Sequence, residues 1–591
     1  MTGPWGLLPI ALPLAWVVVV RLGAIGFAAA PPIERLLGGA TCAVALFVAG
    51  IRILGSLHGL HSGVMLAALA LLAATLAATG KPVAPLPWRR AFTAGTLPLA
   101  LLAGLSLGLT AAAAFWLPVW QWDALGYHLP FVDFALQHGS LRGVPEDVPY
   151  LSTYPHDVEL TFVALRAMLP DDRLVDLGQL PFGLLGALAT AALAWRAGAN
   201  RLAPVAGLLW LTLPAVFLQL PTDYIDVASG AFLLAAAYWV LAGPTSRTAI
   251  CAGIALGLFL GSKPNAPVGV ALLFGLLAWR VREARIGGRW LFAAGLLTLA
   301  LGAEAYGVNL VRHHNPIWPV RIALGPWVLP GTRSMQRLLE AGALAPRVQG
   351  PLPWRVLVSW TSLMAPPAFD MRMGGFGPLF PVALAIALVG QVRERSWQYV
   401  VPAAAALASP DPAVARYVLA FPALAMVLAV RWLVRLPPRG RAVALAAATG
   451  CAAWNLAYAA PGLTGEGPPL VAYANMTESE RRVAVGADGS PMDVVAARDR
   501  LRPGDVAAYD DAFDVPHLAW APDLSTSVVR IPDDADAEAI QHLIDDDDVH
   551  LFLVGESDPA GAMLRSRPER FLSLFPLRSC KSDRCVAYLR L

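Results

Sequence analysis

The 591-residue sequence is 57% hydrophobic and only 14% charged, and its mean hydropathy is +0.58. Soluble globular proteins carry charges at roughly a quarter of their positions. The composition therefore excludes an ordinary soluble protein and predicts that most of the chain lies in lipid. The net charge of +3 comes with no basic domain, so nucleic acid is not an expected partner, whereas membrane lipids are.

Apolar segments long enough to cross a bilayer follow one another over most of the chain. A spanning helix needs roughly 20 apolar residues, and about fourteen segments meet or approach this length. The sequence thus predicts an α-helical polytopic membrane protein with about 12–14 transmembrane helices. The candidate spans are 5–29, 33–56, 62–80, 92–118, 174–196, 202–220, 225–243, 247–261, 265–281, 290–311, 375–391, 397–409, 413–433 and 441–460.

Basic residues collect in alternate connections between these spans, and such connections face the cytoplasm. The opposite side then holds the longer segments 119–173, 312–374 and 461–591, which we expect outside the cytoplasm. Arg21 and Arg52 fit this alternation poorly. The basic set on the predicted cytoplasmic side is Lys81, Arg89, Arg90, Arg196, Arg201, Arg247, Arg280, Arg282, Arg285, Arg289, Arg393, Arg395, Arg435, Arg439 and Arg441.

Three parts of the chain differ in character: N-terminal transmembrane helices at 1–91, a transmembrane module at 92–460, and a more polar segment at 461–591. Strand-like runs at 505–509 and 549–555 alternate in the last part with helix-like stretches at 491–501, 533–544 and 559–566. This alternation predicts a small α/β domain. Cys580 and Cys585 flank a hairpin-like turn, where a disulfide suits an oxidising compartment.

Polar residues gather directly after the span at 92–118. The run Asp123-Ala124-Leu125-Gly126-Tyr127-His128-Leu129-Pro130 follows tryptophans that favour the membrane interface. Amphipathic stretches continue past Tyr154-Pro155, and they predict short helices that lie along the membrane surface, where they can roof a cavity.

This run, followed about twenty-five residues later by Tyr154-Pro155, resembles the first periplasmic loop of the GT-C glycosyltransferases. These membrane enzymes include protein O-mannosyltransferases and the lipid A aminoarabinose transferase. The resemblance covers roughly residues 92–460, and it is supported by the order and common predicted side of four further motifs: Pro221-Thr222-Asp223-Tyr224-Ile225-Asp226, Gly261-Ser262-Lys263-Pro264, Asn315-Pro316-Ile317-Trp318-Pro319 and Arg416-Tyr417.

The resemblance implies that a sugar moves from a polyprenyl-phosphate donor to a lipid, glycan or protein acceptor, with inversion at the anomeric carbon. Such a reaction needs a base for the acceptor and cations for the phosphate. By resemblance, Asp123 is the catalytic base, and the structural alternative is that it caps a surface helix. Tyr127 and His128 are expected to bind substrate.

Asp223 and Asp226 lie three residues apart at the start of an apolar helix, so we expect them on one face. There they would orient the acceptor or hold a divalent metal, while the alternative is that the helix dipole favours acidic residues at this position. Some members of the family work without an obligatory metal. No cofactor is therefore assigned, and a divalent cation stays open.

Lys263 and Arg416 are the candidate phosphate ligands. A charge within a transmembrane segment costs about 2.5–3.5 kcal/mol on insertion scales, and such residues are usually functional or paired. The planar fork of Arg416 suits bidentate phosphate binding. The alternatives are that Lys263 extends to the interface and that Arg416 pairs with Asp411.

The sequence therefore predicts a glycosyltransferase of the bacterial inner membrane with its site and its C-terminal domain outside the cytoplasm. A transporter or lipid flippase is an alternative, but it would need polar groups throughout the membrane depth and often an internal repeat. A second alternative is a non-catalytic envelope-assembly protein that binds a partner through its α/β domain.

Overall fold

The computed structural model describes residues 4–81, 83, 93, 95–334, 350–361, 375–394, 397–485, 492–545, 548–577, 580–581 and 584–591. The predicted boundary at 91/92, the basic residues Arg89, Arg90 and Arg395, and parts of segment 312–374 lie outside these ranges. The described helices are α1 Leu8–Gly26, α2 Pro32–Ser56, α3 Ser62–Ala78, α4 Leu97–Trp116, α5 Leu129–Gln137, α6 Pro149–Ser152, α7 Asp157–Ala167, α8 Leu180–Ala194, α9 Ala203–Leu211, α10 Pro214–Gln219, α11 Asp226–Leu241, α12 Ser246–Leu260, α13 Ala266–Glu283, α14 Arg289–Gly302, α15 Glu304–His313, α16 Leu352–Thr361, α17 Leu379–Glu394, α18 Val400–Leu407, α19 Ala420–Leu433, α20 Pro438–Ala459, α21 Glu478–Ala484, α22 Met492–Arg498, α23 Ala537–Asp545 and α24 Pro559–Arg565. The strands are β1 Val320–Leu324, β2 Trp327–Leu329, β3 Arg333–Ser334, β4 Val506–Tyr509, β5 Ser527–Arg530, β6 Val549–Gly555, β7 Phe571–Leu577 and β8 Cys585–Arg590.

Each of the candidate spans contains a helix. Many of these helices have proline in their first turn, where its missing N–H would have no partner within the helix. Among the described residues, five helical segments are long and apolar enough to cross a membrane: Leu8–Gly26, Pro32–Ser56, Leu97–Trp116, Val175–Leu211 and Pro438–Thr464. The pair α14 and α15, bent by 70°, would be a sixth. The chain is thus a multi-pass α-helical membrane protein, as predicted.

The remaining candidate spans are shorter helices, and several are surrounded by other helices. Helix α11 is almost entirely buried, so the chain itself provides most of its apolar environment. Segment Val175–Leu211 is interrupted at Gly198, whose φ of +94° suits glycine, and α8 and α9 pack against each other on either side of this break.

The two ends of the helical bundle differ in charge. Arg196, Arg280 and Arg431 lie near Tyr399 at one end, which we call the arginine-rich end. The opposite end carries the loop 119–173, and we call it the loop end. Arg21 donates a hydrogen bond of 2.7 Å to the carbonyl oxygen of Lys81, a member of the predicted basic set, so it fits the predicted alternation after all.

Arg52 lies at the loop end, and its charge is compensated there. Its guanidinium pairs with the buried Asp157, and its Nε lies 3.1 Å from Oε2 of Glu304. The poor fit of Arg52 to the charge alternation therefore has a local reason, since this arginine belongs to an ion-pair group in the fold.

The C-terminal segment forms a five-stranded sheet in the order β5-β4-β6-β8-β7. Strands β5, β4 and β6 are parallel, and β8 and β7 continue the sheet antiparallel. The predicted strands fall on β4 and β6 and the predicted helices on α22, α23 and α24, so the small α/β domain is confirmed. Cys580 and Cys585 form a disulfide between β7 and β8.

This domain packs on the loop 119–173 at the loop end. The side-chain amide of Gln137, the last residue of α5, donates to the Val528 carbonyl at 3.0 Å and accepts from the Val528 N–H at 2.8 Å. It also accepts from Nε1 of Trp520 at 2.8 Å. Gln137 thereby occupies the edge of β5, and α5 is fixed beside the sheet.

Candidate active site

Asp123 stands between the end of α4 and a π-helical turn, Ala124–His128. Its side chain is 23% exposed, and its backbone N–H donates to the Tyr224 hydroxyl at 3.1 Å. Within the described part of the chain, its carboxylate makes no capping hydrogen bond to the turn. The capping alternative is therefore wrong, and the carboxylate is available to other groups.

Arg416 joins the two carboxylates of the site. Its Nη2 lies 3.1 Å from Oδ2 of Asp123, and its Nη1 lies 3.0 Å from Oδ2 of Asp226. The alternative pairing with Asp411 is wrong, because Asp411 lies 3.5 Å from Arg355 instead. A guanidinium that is only 11% exposed and is shared by two carboxylates has a fixed orientation.

The ammonium group of Lys263 completes this cluster. It pairs with Oδ1 of Asp226 and lies 4.0 Å from the ring centroid of Tyr417. The side chain is only 17% exposed, so Lys263 is held by a carboxylate and an aromatic face rather than extended freely to the interface. Asp226 therefore binds both predicted phosphate ligands at once.

The turn that presents Lys263 is itself fixed from behind. The Asp157 N–H donates to the Gly261 carbonyl at 2.9 Å, and the Tyr306 hydroxyl donates to the Lys263 carbonyl at 3.1 Å. A Cβ on Gly261 would overlap the Asp157 carboxylate, so this close approach requires glycine. The predicted motif at 261–264 thus places its lysine through backbone contacts.

Asp223 does not join the cluster. Helix α11 begins at Asp226, so Asp223 precedes it, and the predicted common face is wrong because helical spacing does not apply before the first turn. Asp223 is fully buried, and its carboxyl group faces that of Asp176. Within the described residues, neither carboxyl oxygen of Asp223 has a hydrogen-bond donor.

Tyr127 and His128 lie in the π-helical turn beside Asp123. The ring of Tyr127 stacks on Tyr150 at 5.3 Å, and Nδ1 of His128 lies 2.8 Å from Oε1 of Glu159. Burial alone would raise the pKa of Glu159, but the nearby His156 and His128 outweigh this effect and lower that pKa to about 2. His128 is therefore fixed by a buried carboxylate.

Aromatic side chains that had no assigned role surround the cluster. The Arg416 guanidinium lies 4.7 Å from the ring centroid of Tyr224 and 5.0 Å from that of Tyr417. Arg333 donates to the Tyr150 hydroxyl and lies 4.8 Å from its ring. Tyr224 and Tyr417 lie inside predicted motifs, so the sequence already pointed to their positions. No sequence pattern predicts the contact between Arg333 and Tyr150, because the two residues are far apart in the chain.

A narrow cleft, with a free volume of about 20 Å³, adjoins the charged cluster. Asp226, Lys263 and Arg416 line one part of it, and apolar side chains such as Phe259 and Leu419 line the rest. Two cations beside an apolar wall suit an anion that carries a hydrocarbon chain. Among the residues that the structure describes, no group of three or more His, Cys, Asp and Glu side chains is arranged to hold a metal ion.

Comparisons with known proteins give structural matches. ArnT from Cupriavidus metallidurans in the apo state aligns with a TM-score of 0.50 and 14% identity, over 84% of this chain and 99% of that chain. This chain has the fold of ArnT. The same protein bound to undecaprenyl phosphate gives a TM-score of 0.49 at 14% identity, over 84% and 98% of the two chains.

The Archaeoglobus fulgidus oligosaccharyltransferase in the apo form aligns less closely, with a TM-score of 0.39 at 15% identity over 77% of this chain and 69% of that chain. Models of protein families and curated protein sequences give no match. The likeness to ArnT, over 84% of this chain, confirms the GT-C-like fold that the motifs predicted, and it shows the fold alone.

Proposed function

We propose that this chain is a GT-C-type glycosyltransferase that moves a sugar from a polyprenyl-phosphate donor to an acceptor. The observation that supports it best is the convergence of Asp123, Asp226, Lys263 and Arg416 at one end of the bundle. These residues come from four separate motifs of the resemblance. Their meeting in a fold shared with ArnT supports a common catalytic site.

The leaving phosphate is bound by Lys263 and Arg416. When the bond between the anomeric carbon and the phosphate oxygen breaks, the electron pair stays with the phosphate, and the two cations stabilise this charge. Asp226 holds both cations in place between turnovers. Apolar side chains beside the cations, such as Phe259 and Leu419, would contact the beginning of the polyprenyl chain.

Asp123 acts as the base. The acceptor hydroxyl or amine gives its proton to the Asp123 carboxylate while its oxygen or nitrogen forms the new bond to the anomeric carbon, with inversion. Arg416 binds this carboxylate in the structure described above, so a phosphate that competes for the guanidinium would release Asp123 for the acceptor. Donor binding and activation of the base would then be one event.

The site works on the outer face of a bacterial inner membrane. The arginine-rich end of the bundle supports a cytoplasmic assignment for that end, because basic residues are retained there. The loop end and the C-terminal domain then lie outside, where a disulfide between Cys580 and Cys585 is stable.

A transfer assay tests this proposal. The purified chain in lipid nanodiscs is incubated with a cell-envelope extract and polyprenyl-phosphate donors whose sugar is radiolabelled. The label is then measured in the remaining donor and in the molecules of the extract. We expect release of polyprenyl phosphate together with labelled acceptor for at least one sugar. Donor transport across proteoliposomes without any transfer would instead support the flippase alternative.

A further inference from the structure

The segment 221–226 connects α10 to α11 and lies behind the charged cluster. The transfer steps proposed above give Asp226 a role, but they leave Tyr224 without one. The residues between Pro221 and Asp226 are all buried, and the most exposed of them, Ile225, is only 7% exposed. A segment that is packed this closely keeps one conformation, so it can fix the groups that it contacts.

Tyr224 contacts the candidate base through its hydroxyl group. The Asp123 N–H donates to this hydroxyl at 3.1 Å. Asp123 directly precedes the π-helical turn, and an N–H at the start of a helix has no partner within the helix. Two residues earlier, Nε2 of Gln121 donates to the Pro221 carbonyl at 3.4 Å. The backbone before the turn is therefore attached to segment 221–226 at two points.

The ring of the same tyrosine contacts the cation beside the base. The Arg416 guanidinium lies 4.7 Å from the ring centroid of Tyr224, which is within the range of a cation–π contact. Arg416 also lies 3.1 Å from Asp123. Tyr224 thus contacts both members of this ion pair, one through its hydroxyl and the other through its ring.

A residue outside the predicted motifs holds the segment from behind. Gln179, directly before α8, is completely buried. Its Nε2 donates to the Gln219 carbonyl at 2.7 Å and to Oγ1 of Thr222 at 3.2 Å. Its Oε1 accepts from the Val227 N–H at 2.9 Å, and the Thr222 hydroxyl accepts from the Tyr224 N–H at 3.2 Å. One amide group therefore bonds to the chain on both sides of Tyr224.

We propose that Tyr224 is a positioning residue of the transfer reaction, which holds the Asp123 backbone and the Arg416 guanidinium in one fixed arrangement, and that Gln179 holds the segment that carries it. This inference rests on the proposed function, because it names residues that act on the base and the cation of the same reaction. Tyr224 acts through Asp123 rather than on the reacting atoms. Its effect should therefore fall on the chemical step, where a displacement of about 1 Å can cost about 10²-fold in rate.

The variant Tyr224→Phe separates the two contacts, because it removes the hydroxyl and keeps the ring. The full-length chain in nanodiscs is assayed with the radiolabelled donor that the native chain uses. We expect kcat to fall about tenfold or more, while KM for the donor and the affinity for polyprenyl phosphate stay within about twofold. Tyr224→Leu also removes the ring, and it should in addition weaken polyprenyl phosphate binding about threefold or more.

The matched control is Tyr238→Phe, which removes another buried hydroxyl that is bonded away from the cluster. Tyr238 lies on α11 and donates to Oε2 of Glu34 at 2.9 Å. This variant should lose thermal stability to a similar degree as Tyr224→Phe but keep the native kcat. A comparison of the two variants therefore separates positioning of the base from a general loss of stability.

The variant Gln179→Met tests the support of the segment. Because Val227 adjoins Asp226, which binds both cations, this variant should lower kcat about tenfold and also weaken polyprenyl phosphate binding. Its control is Thr190→Val on α8, which loses a buried hydrogen bond to the Gly186 carbonyl and should keep both values.

Two results would overturn the inference while the proposed function stands: a native kcat in Tyr224→Phe, or an equal loss of kcat in Tyr238→Phe. Normal transfer and binding by Gln179→Met would overturn the role of Gln179. Absence of sugar transfer by the native chain with every donor would instead overturn the proposed function, and this inference with it. Polyprenyl phosphate binding by native mass spectrometry shows that each variant is folded.

Discussion

Arg416 donates to Asp123 across 3.1 Å and so joins residues that are 293 positions apart in the sequence. The arginine belongs to a late connection, before α19, and the aspartate to the loop that follows α4. Because the same guanidinium also contacts Asp226, one cation orients both carboxylates of the cluster. A phosphate that binds Arg416 must therefore change the environment of Asp123.

Replacing the candidate base should stop transfer without removing the donor. We expect Asp123→Asn to lower the rate of sugar transfer by roughly 10²–10⁴-fold, the usual contribution of a general base. Binding of polyprenyl phosphate should be unchanged or stronger, because the neutral amide competes less for Arg416. Radiolabelled transfer and native mass spectrometry measure the two effects. The control is Asp171→Asn, which affects a pair with Arg173 in the same loop and should leave transfer unchanged. Undiminished transfer by Asp123→Asn would remove Asp123 from the mechanism.

Two lysines allow a matched test of phosphate binding. Lys263→Met should weaken polyprenyl phosphate binding about tenfold or more, because a hydrogen bond to a charged group contributes about 1.5–3 kcal/mol. Lys81→Met, an exposed change at the arginine-rich end, should have no effect. Titration of both variants in nanodiscs measures the affinities. Equal affinities would show that Lys263 only stabilises Asp226.

The contact between the C-terminal domain and the loop 119–173 should depend on pH through His517. This buried histidine lies 2.6 Å from Asp133 and 3.6 Å from Asp172, and Arg482 lies 3.9 Å from Asp172. Burial alone would lower the pKa of His517, but Asp133 and Asp172 outweigh it and raise that pKa to about 9. This pKa exceeds the unfolded value of about 6.5, so protonated His517 stabilises the folded contact by about 3 kcal/mol. That stabilisation is fully present below pH 6.5 and is lost as the pH rises through about 9.

Hydrogen exchange of β4 and β5 between about pH 6 and pH 10, corrected for intrinsic rates, measures this loss. We expect protection to fall steeply near pH 9 in the native chain and to be lower but less dependent on pH in His517→Gln. A variant that retains the full pH dependence would assign it to another group.

Gln137 should hold the domain through its amide. Gln137→Leu removes three hydrogen bonds, two to Val528 and one to Trp520, and should destabilise the contact by about 2–4 kcal/mol, because each contributes about 1 kcal/mol and the strand edge is left unpaired. Exchange of the Val528 amide reports the change. The control is Gln541→Leu on helix α23, where the glutamine bonds Asp545 and Arg567 instead, and it should leave that amide protected. Similar exchange in both variants would contradict the role of Gln137.

Much of the fold followed from composition, because a lipid-embedded chain must exclude charge from its spans. Charged residues within or next to the spans, such as Asp226, Lys263 and Arg416, are exceptions to this rule and could be recognised as candidate site residues. In the structure they form one cluster with Asp123. The prediction for Asp223 was wrong because it assumed that the helix already included this residue. Helix α11 begins three residues later, at Asp226, so helical spacing does not place the two carboxylates on one face.

Contacts between distant segments left no local pattern. Arg52 is an exception to the charge alternation because it pairs with Asp157, which lies 105 positions away in the sequence. Gln137 is an ordinary residue at the end of an amphipathic helix, and its partner Val528 is 391 positions away. Such pairs depend on tertiary packing, and a single sequence does not specify them.

The side chain that covers β5 also bears on biogenesis. An unpaired strand edge is a template for association with other chains. Segment 461–591, produced alone as a soluble fragment, would expose the backbone groups of Val528 and is expected to self-associate through that edge. In the intact chain α5 is synthesised long before β5, so the helix that covers this strand edge already exists when β5 is made.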